Sequence, residues 1–434
     1  MQHFESQQAQ EFGNNAHVSI PVTPTECGLP QTMLEDIVAR QMFETGVVNI
    51  STLSLQTALA GRLLESVIDV MRADARVEVL GPGADSSLLR YSLTQSGRQF
   101  ASDAKERSGY IGPAPVSEAQ YCDLIHSQSV KNLEVTRHEM HEAYNDVVIT
   151  PQLQDRLGTA IHSGKAIFIY GPAGTGKTFL CSRLIRLLRT PVYIPHAVAV
   201  GDSIVRVFDA SAHQPVEEIE SGSPWISDRT DPRFVLCNRP FLCSGGELTM
   251  DDLEIRRDAA TGQYNAPLQM KAIHGIYMID DLGRQKMPTD ALFNRWIVPM
   301  ESEIDYLNLE SGARLVLPFD VILIFSTNLL PEDLDDPAFQ RRIGHKIGFD
   351  YCDNASYAEI WRRECQRHGL ECDENLIEFA IHNLHQAQGT PMLACHPRDL
   401  VGMALDYARY DGYTNQITQT GLELAWNNYF ARSG

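Results

Sequence analysis

Basic residues are scarce in this chain. Its 434 residues carry 36 Lys and Arg against 56 Asp and Glu, a formal net charge of −20. Acidity on that scale works against a large nucleic-acid or anionic-membrane surface and leaves room only for a small local basic patch. Long apolar runs are missing: none approaches the ~18 residues that cross a bilayer, so no membrane partner is expected. The first basic residue is Arg40, so a positive leader segment is lacking and the expected compartment is the cytoplasm. Paired cysteines are lacking too. The nine present are scattered and odd in number, and none stands in C-x-x-C spacing. Reduced, mostly buried thiols are expected rather than a disulfide frame or a zinc site.

What is present is concentrated at residues 171–178. They read Gly171-Pro172-Ala173-Gly174-Thr175-Gly176-Lys177-Thr178, a complete G-x-x-x-x-G-K-T phosphate-binding loop. Glycines let backbone N–H groups close around nucleotide phosphates. Lys177 supplies a point charge to the β- and γ-phosphates, and the Thr178 hydroxyl is a Mg²⁺ ligand. The apolar run Ala166–Tyr170 before the loop has the length of a buried parallel strand. After it, Leu180, Leu184, Leu187 and Leu188 repeat at helical spacing until Pro191. Strand, glycine loop and helix together aim a helix N-terminus at an anion.

Two further runs carry polar ends. Ile276–Asp281 is apolar until Asp280 and Asp281. A buried parallel strand delivers its last residues to the carboxyl edge of the sheet, where ligands bind. There Asp280 reads as a Mg²⁺ ligand, direct or through water, and Asp281 as the residue that orients and activates the water attacking the γ-phosphate. Val321–Asn328 is a second such strand. Its Asn328 reads as a hydrogen-bond partner of the water or γ-phosphate, or as a capping amide before Leu329-Leu330-Pro331.

The length allows about two or three domains. Residues 1–27 are polar and aperiodic and read as a mobile tail. Residues 28–108 read as a small domain. Met33–Met42 suggests a helix, Val47–Ser51 a short strand, Leu53–Ala60 a second helix and Leu63–Met71 a third. Val77–Leu80 and Leu88–Leu93 read as strands around Gly81–Asp85, and Gln95–Lys105 as a closing helix. This order resembles a winged helix-turn-helix. Residues 46–107 hold seven basic side chains (Arg62, Arg72, Arg76, Arg90, Arg98, Lys105, Arg107) and seven acidic ones (Glu65, Asp69, Asp74, Glu78, Asp85, Asp103, Glu106). A DNA reader usually shows a basic excess, so a protein-interaction role is favoured over DNA. Residues 109–140 read as a linker, 141–350 as the nucleotide-binding α/β domain and 351–434 as a helical lid. Ser211–Pro267, with Pro224, Trp225, Gly245 and Gly246, reads as a long irregular stretch, functional or merely solvated.

With these pieces in order, residues 140–434 resemble the AAA+ ATPases. The loop looks like their Walker A motif, Ile276–Asp281 like Walker B and Asn328 like sensor 1. Pro337–Ile343 looks like the arginine-finger segment, with Arg341 or Arg342 reaching the γ-phosphate of a neighbouring subunit. His396-Pro397-Arg398-Asp399-Leu400 sits where sensor 2 lies, with Arg398 as the matching residue. Arg341 and Arg342 also read as surface charges near Asp335, Asp336 and Asp350, and Arg398 as the ion-pair partner of Asp399. Walker B ends Asp-Asp where the family usually has Asp-Glu, so Asp281 is one methylene shorter. Asp305–Leu309 and Arg314–Leu317 around Glu310–Ala313 look like the hairpin before sensor 1 in magnesium chelatases, MoxR proteins and enhancer-binding ATPases. The sigma-contacting G-A-F-T-G-A loop of the last group is replaced by Ser244-Gly245-Gly246-Glu247-Leu248-Thr249.

The fold implied is α/β, a P-loop NTPase parallel sheet flanked by helices, with an α-helical C-terminal lid and a small N-terminal winged-helix-like α+β domain. The function implied is ATP hydrolysis with Mg²⁺ in a homo-oligomeric ring, a hexamer by family resemblance, that remodels a protein partner. The alternatives are a DNA-associated ATPase of loader or initiator type, and a slow nucleotide-gated switch. No protease or nuclease constellation accompanies the ATPase motifs.

Overall fold

Helical spacing sets the N-terminal elements. Met33, Leu34, Ile37, Val38 and Met42 line the buried face of α1 (Gln31–Thr45). The Asn49 side chain accepts the Thr52 N–H at 2.8 Å and starts α2 (Ile50–Thr57). That cap replaces most of the strand expected at Val47–Ser51; only Val48 pairs, with Tyr91. Helix α3 (Gly61–Ala73) buries Leu63, Leu64, Val67, Ile68 and Met71. An antiparallel pair follows, β1 (Val77–Leu80) and β2 (Arg90–Leu93), then α4 (Gln95–Arg107), capped by Thr94. The structure, a computed structural model, describes residues 19–81, 88–216, 230–334, 336–412 and 416–430. Most of the Gly81–Asp85 turn, residues 1–18 of the expected tail, Pro224, Trp225 and Asp335 lie outside them.

The described end of the expected tail and the expected linker are built into the fold. The tail is anchored at its end: Pro24–Cys27 forms a helical turn with Cys27 fully buried. The expected linker 109–140 is also ordered. Tyr110 and Ala114 join the core of α1–α3, β3 (Val116–Ser117) pairs in a sheet, and α5 (Glu118–Ser127) opens on a Ser117–Gln120 capping box. Gly112, Pro113 and Pro115 punctuate this segment as a linker would, but the apolar residues between them fill the core.

Helices α6 (Arg137–Ala143) and α7 (Pro151–His162) lead into β4 (Ile167–Tyr170) and α8 (Lys177–Ser182), continued by a 3₁₀ turn to Leu187. Then come β5 (Val192–Pro195), β6 (Ala197–Val200), β7 (Ser203–Arg206), β8 (Phe234–Cys237), β9 (Phe241–Ser244), β10 (Arg256–Arg257) and β11 (Tyr264–Asn265). The described residues of the stretch 211–267, expected to be irregular, thus form four strands. They also hold a buried ion pair: Arg233 Nη2 donates to Asp231 Oδ2 at 2.7 Å and Arg233 Nη1 to Pro115 O at 3.2 Å. A buried charge needs such a partner. Strands β10-β11-β7-β6-β3 form one small sheet and β5-β8 another.

The last part runs β12 (Ile276–Ile279), α9 (Thr289–Ser302), β13 (Ile304–Asn308), β14 (Arg314–Pro318), β15 (Ile322–Thr327), α10 (Pro337–Arg342) and β16 (His345–Gly348). Strands β13 and β14 form the expected hairpin, with Tyr306 opposite Val316. A five-stranded parallel sheet has the order β16-β4-β15-β12-β9, flanked by helices. The parallel order with crossovers, and the glycine loop directly after β4, define a P-loop NTPase fold.

By compactness the chain divides into residues 1–133, 188–277 and 285–322 on one hand, and 134–187, 278–284 and 323–434 on the other. The core begun by α1–α3 continues into Ala197, Ala199 and Ile204 of the first unit.

The C-terminal residues of the second unit are helical: α11 (Asn354–Arg367), α12 (Glu374–Phe379) running into a π-helical turn at Ala380–Gln386, α13 (Cys395–Tyr410) and α14 (Gln419–Tyr429). Tyr357, Trp361, Leu400, Ala404, Leu422 and Trp426 form their core. Within it His385 and His396 stack at 5.2 Å. His385 Nδ1 lies 3.1 Å from Thr390 O, a pure acceptor, so Nδ1 carries a proton, and Nε2 lies 2.8 Å from Tyr357 Oη. His396 Nδ1 accepts the Leu393 N–H at 3.3 Å. The His396 ring is therefore held neutral. Burial lowers both pKa values, and His385 adds to the depression at His396, which is pushed down to about 4. A group whose folded pKa lies below its unfolded value of ~6.5 contributes fully above that pH and loses its contribution as pH falls through the folded value. Amide hydrogen-exchange protection in residues 354–412 is therefore expected to be constant from pH 8 to 7 and to drop between pH 6.5 and 4, after correction for intrinsic exchange.

Candidate nucleotide-binding site

Strand β4 is buried and points its end at the loop. The turn that follows requires glycine at two places. Gly171 has φ 140°, and a Cβ there would sit 2.2 Å from Phe349 O. Gly174 has φ 82°, and a Cβ there would sit 2.7 Å from Cys395 Sγ. Both are conformations that L side chains avoid, and both are close approaches of backbone to a neighbour. Pro172 and Ala173 lie on the loop between them. The Thr175 hydroxyl donates to Pro172 O at 2.9 Å and closes the turn. Gly176 then caps α8, which starts at Lys177.

Lys177 is the centre of the site. Its side chain is largely buried, and Nζ donates to Gly171 O at 2.8 Å, Pro172 O at 3.0 Å and Asn328 Oδ1 at 2.7 Å. Burial lowers its pKa, and attraction to Asp280 and Asp281 works in the opposite direction. Next to it the Thr178 hydroxyl donates to Asp280 Oδ2 at 2.5 Å. The loop, the end of β12 and the end of β15 thus converge, and Lys177, Thr178, Asp280 and Asn328 form one connected set. A hydroxyl and a carboxylate side by side at the root of a phosphate loop are hard oxygen donors of the kind Mg²⁺ takes.

Asp281 follows in a tight turn. Its φ is 50°, its N–H donates to Asp280 Oδ1 at 3.0 Å, and its carbonyl accepts from Arg284 N at 3.0 Å. Asp tolerates this left-handed region better than most residues. Leu282 fixes the turn: its N–H donates to Ser326 O at 2.8 Å, and its carbonyl accepts from the Thr327 hydroxyl at 3.0 Å. These bonds tie the two acid-bearing and amide-bearing strand ends together.

The three arginines are placed differently. Arg341 Nε donates to Pro337 O at 3.3 Å and Arg342 Nη1 to Ala338 O at 2.7 Å, both carbonyls of their own helix α10. Arg398 pairs with Asp399 at 2.8 Å, and its side chain is 62% exposed. The residue of α13 that meets the loop is Cys395, whose N–H donates to Gly174 O at 3.1 Å. Sequence reasoning did not single out Cys395, Phe349 or Thr327 for this site. Phe349 and Cys395 act through backbone atoms, so their side-chain types carry no signal, whereas Thr327 acts through its hydroxyl.

The fold and this loop define the class, a P-loop NTPase. A family described as "Domain of unknown function (DUF8689)" matches residues 353–428, the segment of helices α11–α14. No curated protein matches the chain. Among solved structures, NtrX from Brucella abortus is similar at 14% identity and a TM-score of 0.40, over 65% of this chain and 57% of that one. The same protein in complex with ADP gives 14% and 0.41, over 68% and 59%. The RuvB Holliday junction branch migration motor of Thermotoga maritima gives 13% and 0.38, over 65% and 70%. The chain spans less than two thirds of these NtrX chains.

Glycine replacement separates clash from backbone strain. Gly171→Ala meets a carbonyl oxygen, whereas a Cβ at Gly176, with φ 87°, has its nearest neighbour at 3.9 Å. Both substitutions are expected to cost about 1 kcal/mol in backbone strain, and Gly171→Ala clearly more. Urea midpoints of the two variants check the difference.

Proposed function

We propose that this protein binds ATP with Mg²⁺ and hydrolyses it to ADP and phosphate as an AAA+ machine. The observation that carries the reading is the connected set Lys177, Thr178, Asp280 and Asn328 at the root of one glycine loop. Gly171 to Thr178 would wrap the phosphates, with Lys177 on the β- and γ-phosphates. Thr178 and Asp280 would hold Mg²⁺, which neutralises phosphate charge when bound. Asn328 and Asp281 would orient the attacking water, and Asp281 would accept its proton. The shorter reach of Asp281 predicts slow turnover unless its left-handed backbone brings the carboxylate forward.

Arg341 or Arg342 would stabilise the transition state of a neighbouring subunit, and Arg398 would sense the γ-phosphate. An arginine of that kind has a use only in an oligomer, so a homo-oligomeric ring is proposed, a hexamer by family resemblance, acting on a protein partner. The hairpin β13–β14 supports placement near the magnesium chelatase, MoxR and enhancer-binding group. Helices α1–α3 followed by the β1–β2 pair support a winged-helix reading of the N-terminal part. That reading keeps a DNA-associated ATPase as the second proposal, disfavoured by the equal basic and acidic counts.

Mass measured with and without ATP is expected to show an ATP-stabilised oligomer. Arg341→Ala and Arg342→Ala are expected to leave ATP affinity within about threefold, and the one that is the finger to lower turnover by about a thousandfold. A strict monomer with full turnover would refute the machine. A slow switch would show turnover no higher than that of Lys177→Ala.

A further inference from the structure

One carboxylate at the edge of this site has two partners. Asp399 Oδ1 accepts from Arg398 Nε at 2.8 Å, and Asp399 Oδ2 accepts from Tyr429 Oη at 3.2 Å. Tyr429 ends α14, and its hydroxyl lies 3.9 Å from Cys395 Sγ. Cys395 in turn begins α13 and donates its N–H to Gly174 O of the phosphate loop. Arg398 and the carboxylate therefore sit at the start of the helix that touches the loop, and the phenol reaches the carboxylate from α14. The Arg398 side chain is 62% exposed and the Asp399 carboxylate 26% exposed, so the arginine is the partner with room to swing. The carboxylate is held from its other side.

We infer that Asp399 and Tyr429 are positioning residues that park Arg398 away from the phosphates. The third phosphate of a bound nucleoside triphosphate then competes with Asp399 for the guanidinium. This rests on the nucleotide reading above and adds a consequence to it: discrimination between tri- and diphosphate is set by the strength of the parking contact. A guanidinium gains more from the paired oxygens of a phosphate than from one carboxylate oxygen of the adjacent residue. ATP draws Arg398 off Asp399, whereas ADP leaves it parked. The Tyr429 hydroxyl fixes the carboxylate in the rotamer that accepts Arg398, so the C-terminal helix has a direct hand in nucleotide choice.

Equilibrium titration of the full chain with ATP and with ADP, both with Mg²⁺, tests this. Asp399→Asn is expected to bind ATP about twofold to fivefold more tightly, the range an exposed ion pair is worth, with ADP affinity unchanged. Tyr429→Phe is expected to move ATP affinity in the same direction and less far. In an Arg398→Ala background the Asp399→Asn effect is expected to vanish. Equal tightening for ATP and ADP, no tightening in either variant, or an effect that survives Arg398→Ala would overturn the parking role while leaving ATP binding intact. Failure of the wild-type chain to bind either nucleotide would overturn the nucleotide reading and this inference together.

Discussion

The ammonium of Lys177 is the point on which the rest of the site depends. Three oxygens hold it, two from the loop backbone and one from Asn328. That arrangement needs two strand ends side by side. The register of β15 on β4 supplies it, pairing Thr327 with Tyr170; the next residue of each chain segment is Asn328 or Gly171. A slip of one residue in that pairing would reverse which face each side chain takes and remove Asn328 from Lys177. The buried strands, the register and the glycine loop are thus one requirement.

The arrangement has a consistent electrostatic character. Each cation assigned to phosphate is bonded to an oxygen of the protein itself. Lys177 rests on Gly171 O, Pro172 O and Asn328, Arg398 on Asp399, and Arg341 and Arg342 on carbonyls of α10. Phosphate oxygens would replace these contacts rather than add to bare charges, so affinity is set by an exchange of partners. The partners given up would lie on the phosphate loop, the end of β15, α10 and α13.

Much of this was legible in the sequence, for identifiable reasons. Local chemistry fixes the loop: the glycines at 171, 174 and 176 are where the backbone turns left-handed, and Lys177 and Thr178 follow at set spacing. Apolar runs with polar ends placed Asp280, Asp281 and Asn328 at strand termini, and turn residues around Gly312 placed the hairpin. What failed was long-range. Residues 109–117 carry the punctuation of a linker, yet Tyr110 and Ala114 are buried in the core of α1–α3 and Val116 pairs with Val198. The stretch 211–267 lacks periodicity because its strands are short and paired with distant partners, such as Phe234 with Pro195. Cys395 escaped notice because its contribution is a backbone amide. The Arg398–Asp399 pair was visible as an alternative to a phosphate role; the Tyr429 contact that gives it meaning was not.

The central claim is that Lys177 and its partners form a nucleoside triphosphate site. Equilibrium titration of Mg²⁺-ATP into wild type and Lys177→Ala, with folding of both verified by melting, tests it most directly. The account predicts saturable one-to-one binding by the wild type and at least about tenfold weaker binding by the variant, a loss of ~1.4 kcal/mol or more. Equal affinity in the two proteins, or no saturable binding by the wild type, would contradict it.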